Sequence, residues 1–143
     1  MRLRKGRGEP QLTAEDAGLL IRIYLEFESN VARYGRLLEQ REAGARASEL
    51  RPEALAGARG IALVSRVAFQ LSAQLHEAIP EHLLPDRALG AMRRLAYALV
   101  ALAEEGDERQ ALLTRDEVDG LVAEYDLEGW LADCRGHLDR VGT

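Results

Sequence analysis

The stretch from residue 61 to residue 79, IALVSRVAFQLSAQLHEAI, constrains the fold more than any other part of this chain. At about 100° per residue most of its apolar side chains fall on one broad arc, while Phe69 lies well away from that arc. Only Arg66, Gln70 and Glu77 form a strip suited to water. A helix that is apolar around most of its girth is typical of the centre of a bundle. We therefore expect 61–79 to be a central helix that neighbouring helices enclose on nearly every side.

Length and composition fit one globular domain. A chain of 143 residues can bury a real core, and a composition of 47% hydrophobic and 30% charged residues is ordinary for a globular protein. The sequence shows no convincing strand pattern. We predict an all-α fold, a single-domain helical bundle of about five helices (three long, two short) around the central helix at 61–79. The bundle would span 13–143, and residues 1–12 would form a basic flexible arm interrupted by glycine and proline.

Two further long helices accompany the central one in this prediction. The first begins after Thr13, a suitable N-cap, and extends to about Glu42. The third spans about 86–104 and is rich in alanine, which predicts close packing against the central helix. Pro52 suits the first position of a helix, so 52–60 is expected to be a short helix or a bent lead into 61–79.

Two short helices are predicted in the C-terminal third. Thr114 and Glu117 form a capping box, and Asp126 is a suitable cap for a last helix with apolar residues at helical spacing. This third also carries most of the net charge of −5, because residues 104–143 have four basic and twelve acidic side chains. We interpret the acidic third as a solvated surface, with charge-steered association as the alternative.

The first helix carries a second apolar strip besides the one expected to face the core. The main stripe comprises Leu20, Ile23, Phe27, Val31, Tyr34 and Leu38, flanked by Tyr24. Ile21, Leu25 and Ala32 recur on another side, and the helix is roughly 43 Å long at 1.5 Å per residue, more than a domain of this size needs. A long helix with a spare apolar strip is suited to docking, so these three are the predicted protein-contact residues.

A basic arm and an arginine face indicate a second class of function. The residues concerned are Arg2, Arg4, Lys5 and Arg7 in the arm and Arg87, Arg93, Arg94 and Tyr97 on the third long helix. Arginines contact phosphates, and an exposed ring can stack on a base. The acidic balance of the whole chain argues against a DNA-reading module. The remaining nucleic-acid hypothesis is an accessory subunit that contacts a nucleic-acid backbone within a larger complex.

The sequence offers no catalytic constellation and no cofactor motif. Pro80 separates His76 from His82 and interrupts the geometry of helical zinc motifs, so we expect a helix terminus there and no metal site. The lone cysteine, Cys134, excludes an intrachain disulfide and is expected to be a small packing residue. His137 follows it at i+3 without a third, orienting group. We therefore expect a protein without enzymatic activity, metal or cofactor.

The leading hypothesis is a non-enzymatic helical protein that acts through protein–protein contacts, as a homo-oligomer or as a subunit of a larger assembly. The accessory nucleic-acid subunit is the first alternative. The second is a small-ligand-sensing bundle with a pocket between the central helix and the Tyr24/Tyr34 face. No apolar run approaches the roughly 18 residues of a membrane span, so we expect a cytoplasmic protein without a membrane partner. Eighteen arginines against one lysine indicate a GC-rich bacterial source.

Overall fold

The structure is a computed structural model that describes residues 13–78, 81, 84–104, 112–125 and 132, with 121–125 described by their backbone alone. These residues form α1 (Ala14–Glu42), α2 (Ala47–Leu75), a 3-10 helix (Pro85–Ala88), α3 (Leu89–Leu102) and α4 (Arg115–Tyr125), and they contain no strand. The all-α prediction is confirmed. The count of about five helices is not, because four α-helices are described and both the arm at 1–12 and the predicted helix after Asp126 lie outside the described residues.

Helix α1 begins and ends where the sequence predicts. Thr13 is its N-cap, and the Thr13 hydroxyl accepts a 3.0 Å hydrogen bond from the backbone N–H of Asp16. After Glu42 the chain turns through Gly44, whose φ of 107° is left-handed and favours glycine. The predicted main stripe faces the core, with Val31 partly buried and the other members buried.

Helix α2 begins earlier than predicted and is one continuous helix. Its first residue is Ala47, and the backbone N–H of Arg46 donates to Glu49 Oε1 over 2.8 Å at that end. Pro52 lies inside the helix, so the prediction that it opens a helix is wrong. A proline in the second turn removes a single backbone donor, and the chain continues through 52–60 into 61–75 without a break.

The expectation that neighbours enclose 61–79 on nearly every side is wrong. The helix ends at Leu75, and 76–78 form a turn. One face of α2 packs on α3 and α1, which makes it the helix that both neighbours share. Another side remains in water, where Leu63 is 61% and Phe69 is 64% exposed. The buried face of its second half comprises Ile61, Ala68, Leu71, Ser72 and Leu75.

Gly57 and Gly60 allow α1 to approach α2 closely. A Cβ added to Gly57 would lie 2.9 Å from Asn30 Oδ1, and one added to Gly60 would lie 2.9 Å from Glu26 Oε1. Asn30 is fully buried in this gap. Its Nδ2 donates to the Glu26 carbonyl oxygen over 2.9 Å and to Glu26 Oε1 over 3.2 Å, and its Oδ1 accepts from Arg33 Nη1 over 2.8 Å. The polar side chain at this interface is therefore paired at both ends.

Helix α3 packs on α2 through small and aliphatic residues, and its C-terminal end is held by arginines of two other helices. It has no basic residue in its own last turn. Arg41 Nη1 of α1 donates to the carbonyl oxygen of Leu102 over 2.9 Å, and Arg51 Nε of α2 donates to that of Ala103 over 3.0 Å. These bonds satisfy carbonyl groups that lack an intrahelical partner, where the helix dipole favours positive charge. The arginines thus tie the three long helices together at one end.

Helix α4 is fixed to α1 by a buried tyrosine. The Tyr34 hydroxyl donates to the Leu113 carbonyl oxygen over 2.6 Å and accepts from the Leu113 N–H over 2.7 Å. Burial raises the pKa of Tyr34 to about 12. The predicted capping box is confirmed, because the Glu117 N–H donates to Thr114 Oγ1 over 3.1 Å and the Thr114 N–H donates to Glu117 Oε1 over 3.0 Å. Hydrogen bonding to Thr114 lowers the pKa of the Glu117 carboxyl.

Candidate interaction surface

An open groove between α2 and α3 carries two exposed aromatic rings. Phe69 on α2 is 64% exposed and Tyr97 on α3 is 63% exposed. The groove has a volume of about 350 Å³, and we call it the Phe69–Tyr97 groove. Its described lining residues are Ile61, Ala62, Ser65, Arg66, Phe69, Leu89, Arg93, Ala96 and Tyr97. Large apolar groups that cluster on one surface mark interaction sites, whereas single scattered ones are normal.

Helical spacing explains why these residues share a groove. On α2, residues 62, 65, 66 and 69 follow an i, i+3, i+4, i+7 pattern, and on α3 residues 89, 93, 96 and 97 lie on one side in the same way. The fully buried Ile61 forms part of the floor, and the Ser65 hydroxyl lies 3.4 Å from Met92 Sδ. Ala62 and Ala96 are small, so space remains between the two walls.

Two arginines give this groove a positive charge. Arg66 on α2 and Arg93 on α3 are exposed, and they are the charged residues among the described lining. Each helix therefore contributes one ring and one guanidinium. A surface of this kind is complementary to a ligand with apolar groups flanked by negative charge.

The residues of the predicted arginine face do not all lie on one surface in the structure. Arg93 and Tyr97 line the groove, whereas Arg94 is not among the lining residues and its charge helps to lower the pKa of Glu117. Arg87 lies in the 3-10 helix and already takes part in an interaction. Sequence reasoning missed Arg66 and Phe69 as site residues. The signal for Phe69 was its position away from the apolar arc of α2. The predicted arm residues Arg2, Arg4, Lys5 and Arg7 lie outside the described residues.

The predicted contact strip on α1 is only partly exposed. Ile21 is partly buried and packs against the core. Ala32 lines an open groove of about 250 Å³ between α1 and α4, together with Val118. Leu25 is 45% exposed and is the large exposed side chain of the strip. A contact through Ile21, Leu25 and Ala32 stays a prediction, and it rests mainly on Leu25.

The tyrosine face expected to border a ligand pocket is packed into the core. Tyr24 is 2% exposed and Tyr34 is fully buried, and both belong to the core cluster. Tyr34 does reach the groove of about 250 Å³ beside α4, but that groove opens on the α4 side of α1 and not towards α2. A small-ligand pocket between the central helix and this face stays a prediction.

A larger opening of about 810 Å³ lies where the end of α1 faces the start of α4. Its charged lining residues are Arg41, Glu42, Arg115 and Asp116, and both arginines already have partners. Arg41 caps α3, and Arg115 Nη2 lies 2.6 Å from Glu39 Oε2. The hydrogen bond and the negative charge of Glu39 raise the pKa of Arg115. These pairings show that the two arginines of the opening hold neighbouring helices together.

The described part of the chain brings His76 Nε2 within 3.8 Å of Glu77 Oε2 but assembles no larger cluster suited to a metal ion. No group of three or more His, Cys, Asp or Glu side chains that could hold a metal ion occurs among the described residues. His76 lies at the end of α2 with its Nδ1 3.0 Å from the Ala73 carbonyl oxygen, as at a helix terminus. Cys134 and His82 lie outside the described residues. The absence of enzyme activity stays a prediction.

Comparison with known proteins gives no assignment. No family model, curated protein or solved structure matches this chain. Among the described residues, α2 alone is long and apolar enough to cross a membrane by length and composition, with a mean hydropathy of 1.2 over 18 residues. A core helix of a water-soluble bundle meets the same criterion. Such a core helix is mostly buried, whereas 33% of this stretch of α2 is buried.

Proposed function

We propose that this chain is a non-enzymatic helical protein that acts through protein–protein contacts, as a homo-oligomer or as a subunit of a larger assembly. The observation that supports this most is the pair of rings in the Phe69–Tyr97 groove, each more than 60% exposed. Aromatic residues are enriched in protein interfaces and among the residues that dominate binding energy. Covering both rings is worth on the order of 5 kcal/mol at about 25 cal/mol per Å² of apolar surface.

The proposed contact surface is this groove, and Leu25 on α1 is a separate, smaller candidate. The groove combines two rings, two arginines and small alanines on adjacent helices. Such a surface has an apolar centre and a charged rim, as protein interfaces do. The α1 strip lacks that combination because the core takes up Ile21 and α4 borders Ala32.

A double variant, Phe69→Ser with Tyr97→Ser, tests this function. Leu63→Ser is the matched control, because Leu63 lies on α2, is 61% exposed and is not among the lining residues of the groove. We expect analytical ultracentrifugation and co-purification from the source cells to show an assembly for the natural chain and for the control. The double variant should lose it. The proposal fails if all three proteins have the same monomeric mass and the same co-purifying proteins.

The accessory nucleic-acid subunit remains the alternative, because Arg66, Arg93 and Tyr97 share one surface. Aromatic rings beside cations are the elements of a single-strand binding site. Binding of the full chain to a short single-stranded oligonucleotide at about 50 mM salt, lost on Arg93→Ala, would favour this alternative. No binding at that salt concentration would exclude it for the isolated chain.

A further inference from the structure

We infer that the occupant of the Phe69–Tyr97 groove is an acidic amphipathic helix of a partner protein. This inference rests on the proposed function, in which the groove makes a protein contact. It adds the chemical class of the partner. The partner segment would carry aliphatic or aromatic residues at i, i+3 or i+4, and i+7, with glutamate or aspartate beside them.

The shape of the groove favours a helix as occupant. Two packed helices form its walls, and the small side chains of Ala62 and Ala96 keep the space between Phe69 and Tyr97 open. A third helix laid along such a groove contacts both walls at once, as ridges of one helix fit the grooves of its neighbours. The rings and Leu89 would contact its apolar face. A helix also satisfies its own backbone hydrogen bonds, so it can enter an apolar groove without unpaired polar groups.

The charge of the groove favours an acidic occupant. Arg66 on α2 and Arg93 on α3 flank the two walls, and no carboxylate occurs among the described lining residues. A guanidinium group binds a carboxylate through two parallel N–H donors, which adds orientation as well as energy. One arginine on each wall matches an amphipathic helix with acidic residues on both sides of its apolar stripe.

The same arginines disfavour a second copy of this chain and a nucleic acid. In a two-fold dimer through the groove, Arg66 and Arg93 of one protomer would face the same residues of its partner, and like charges would repel. Two arginines neutralise about two phosphates, which gives weak, strongly salt-dependent binding to a nucleic acid.

A displayed library of amphipathic helices tests the inference on the full chain. The library keeps a leucine stripe and randomises the flanking positions among Glu, Gln and Lys. We expect selection on the natural chain to enrich Glu at those positions. The variant Phe69→Ser with Tyr97→Ser should reduce binding of the selected peptide at least tenfold, whereas Leu63→Ser should not change it. The double charge variant Arg66→Glu with Arg93→Glu should enrich Lys in place of Glu.

The outcomes separate this inference from the proposed function. Selection of Lys or neutral helices that still need Phe69 and Tyr97 overturns the acidic partner and leaves the protein contact standing. Self-association that the Phe69→Ser and Tyr97→Ser double variant abolishes, without selection of any helix, makes a second copy the occupant. If no helix is selected, the chain is monomeric and the double variant keeps the same co-purifying proteins, both proposals fail. Groove-dependent binding of single-stranded oligonucleotides or of anionic phospholipid vesicles would then identify the alternative ligand.

Discussion

Asn30 and Phe69 depart in opposite ways from the usual division between a polar surface and an apolar core. Asn30 is a polar side chain that is fully buried at the α1–α2 contact, and Phe69 is an aromatic ring that is 64% exposed beside the α2–α3 contact. The molecule itself pairs the first, because Glu26 and Arg33 use its donor and acceptor groups. The second remains mostly exposed among the residues that the structure describes. A buried polar group or an exposed apolar cluster is the informative exception in a protein surface.

The comparison separates a structural role from a functional one. The α1–α2 contact places Gly57 and Gly60 of α2 against Asn30 and Glu26 of α1, and the hydrogen bonds of Asn30 stay within α1. The α2–α3 contact is apolar, and the Phe69–Tyr97 groove beside it is open to solvent. If this reading is right, changes on the Asn30 side should alter stability, and changes on the Phe69 side should alter binding alone.

The largest effect on stability is expected from Gly57→Leu. A Cβ at this position would already meet Asn30 Oδ1 at 2.9 Å and Arg33 Cδ at 3.0 Å, so a leucine must displace these side chains or move α1 away from α2. We expect a loss of about 3 kcal/mol or more in the free energy of unfolding, measured with urea. Gly90→Ala is the control, because nothing lies within 4 Å of the added Cβ there. It should raise stability by up to about 1 kcal/mol. A neutral Gly57→Leu would show that the helices do not approach closely.

The next largest effect on stability is expected at Tyr34, whose hydroxyl is a second buried and hydrogen-bonded polar group. Its pKa is raised to about 12, while an unfolded tyrosine titrates near 10, so the unfolded chain loses this proton first as the pH rises. Stability should therefore be unaffected by this group below about pH 10 and fall by roughly 1.4 kcal/mol per pH unit between about pH 10 and 12. Tyr34→Phe should lack that fall and should lose about 2 kcal/mol at pH 7, because the backbone groups of Leu113 lose their partner. Equal slopes for both proteins would contradict the buried hydroxyl.

Local patterns were sufficient to predict most of the fold. Thr13 and Glu117 cap their helices in the predicted way, because capping depends on neighbours three residues apart and is visible in the sequence. Pro52 misled the prediction for a local reason, since proline is tolerated in an early turn as well as at the first position. The glycines at 57 and 60 looked like a break, yet they serve a close approach of α1. That role requires Asn30 to lie opposite, which a single helical pattern cannot show.

The candidate site was less predictable, because it depends on the relation between two helices. Tyr97 and Arg93 were selected from α3 as nucleic-acid contacts, whereas Phe69 and Arg66 belong to α2, which was expected to be enclosed by its neighbours. The apolar arc of α2 is real, and Phe69 lies outside it. Periodicity can show that a side chain lies off the main face, but it cannot show whether another helix covers it. Only the placement of α3 decides that.

A smaller loss of stability is expected from Asn30→Ala. The change removes the bonds from Nδ2 to Glu26 and from Arg33 to Oδ1, but Glu26 and Arg33 are only partly buried and can turn to water. We expect a loss of about 1.5 kcal/mol in the free energy of unfolding. Ser29→Ala, at the exposed neighbouring position, should change stability by less than about 0.5 kcal/mol. A stabilised Asn30→Ala would mean that burying the amide costs more free energy than its hydrogen bonds within α1 contribute.

The smallest effect on stability is expected from Phe69→Ser. This measurement decides whether Phe69 serves binding and not the stability of the fold. A ring that is 64% exposed contributes little to the core, so the free energy of unfolding should change by less than about 0.5 kcal/mol. Ile61→Ala, eight residues earlier on the fully buried face of the same helix, should lose about 2 to 4 kcal/mol under the same conditions. A loss above about 1.5 kcal/mol for Phe69→Ser would mean that another part of this chain covers the ring. The groove would then be a contact within this chain, and Asn30 and Phe69 would both have their partners inside the same molecule.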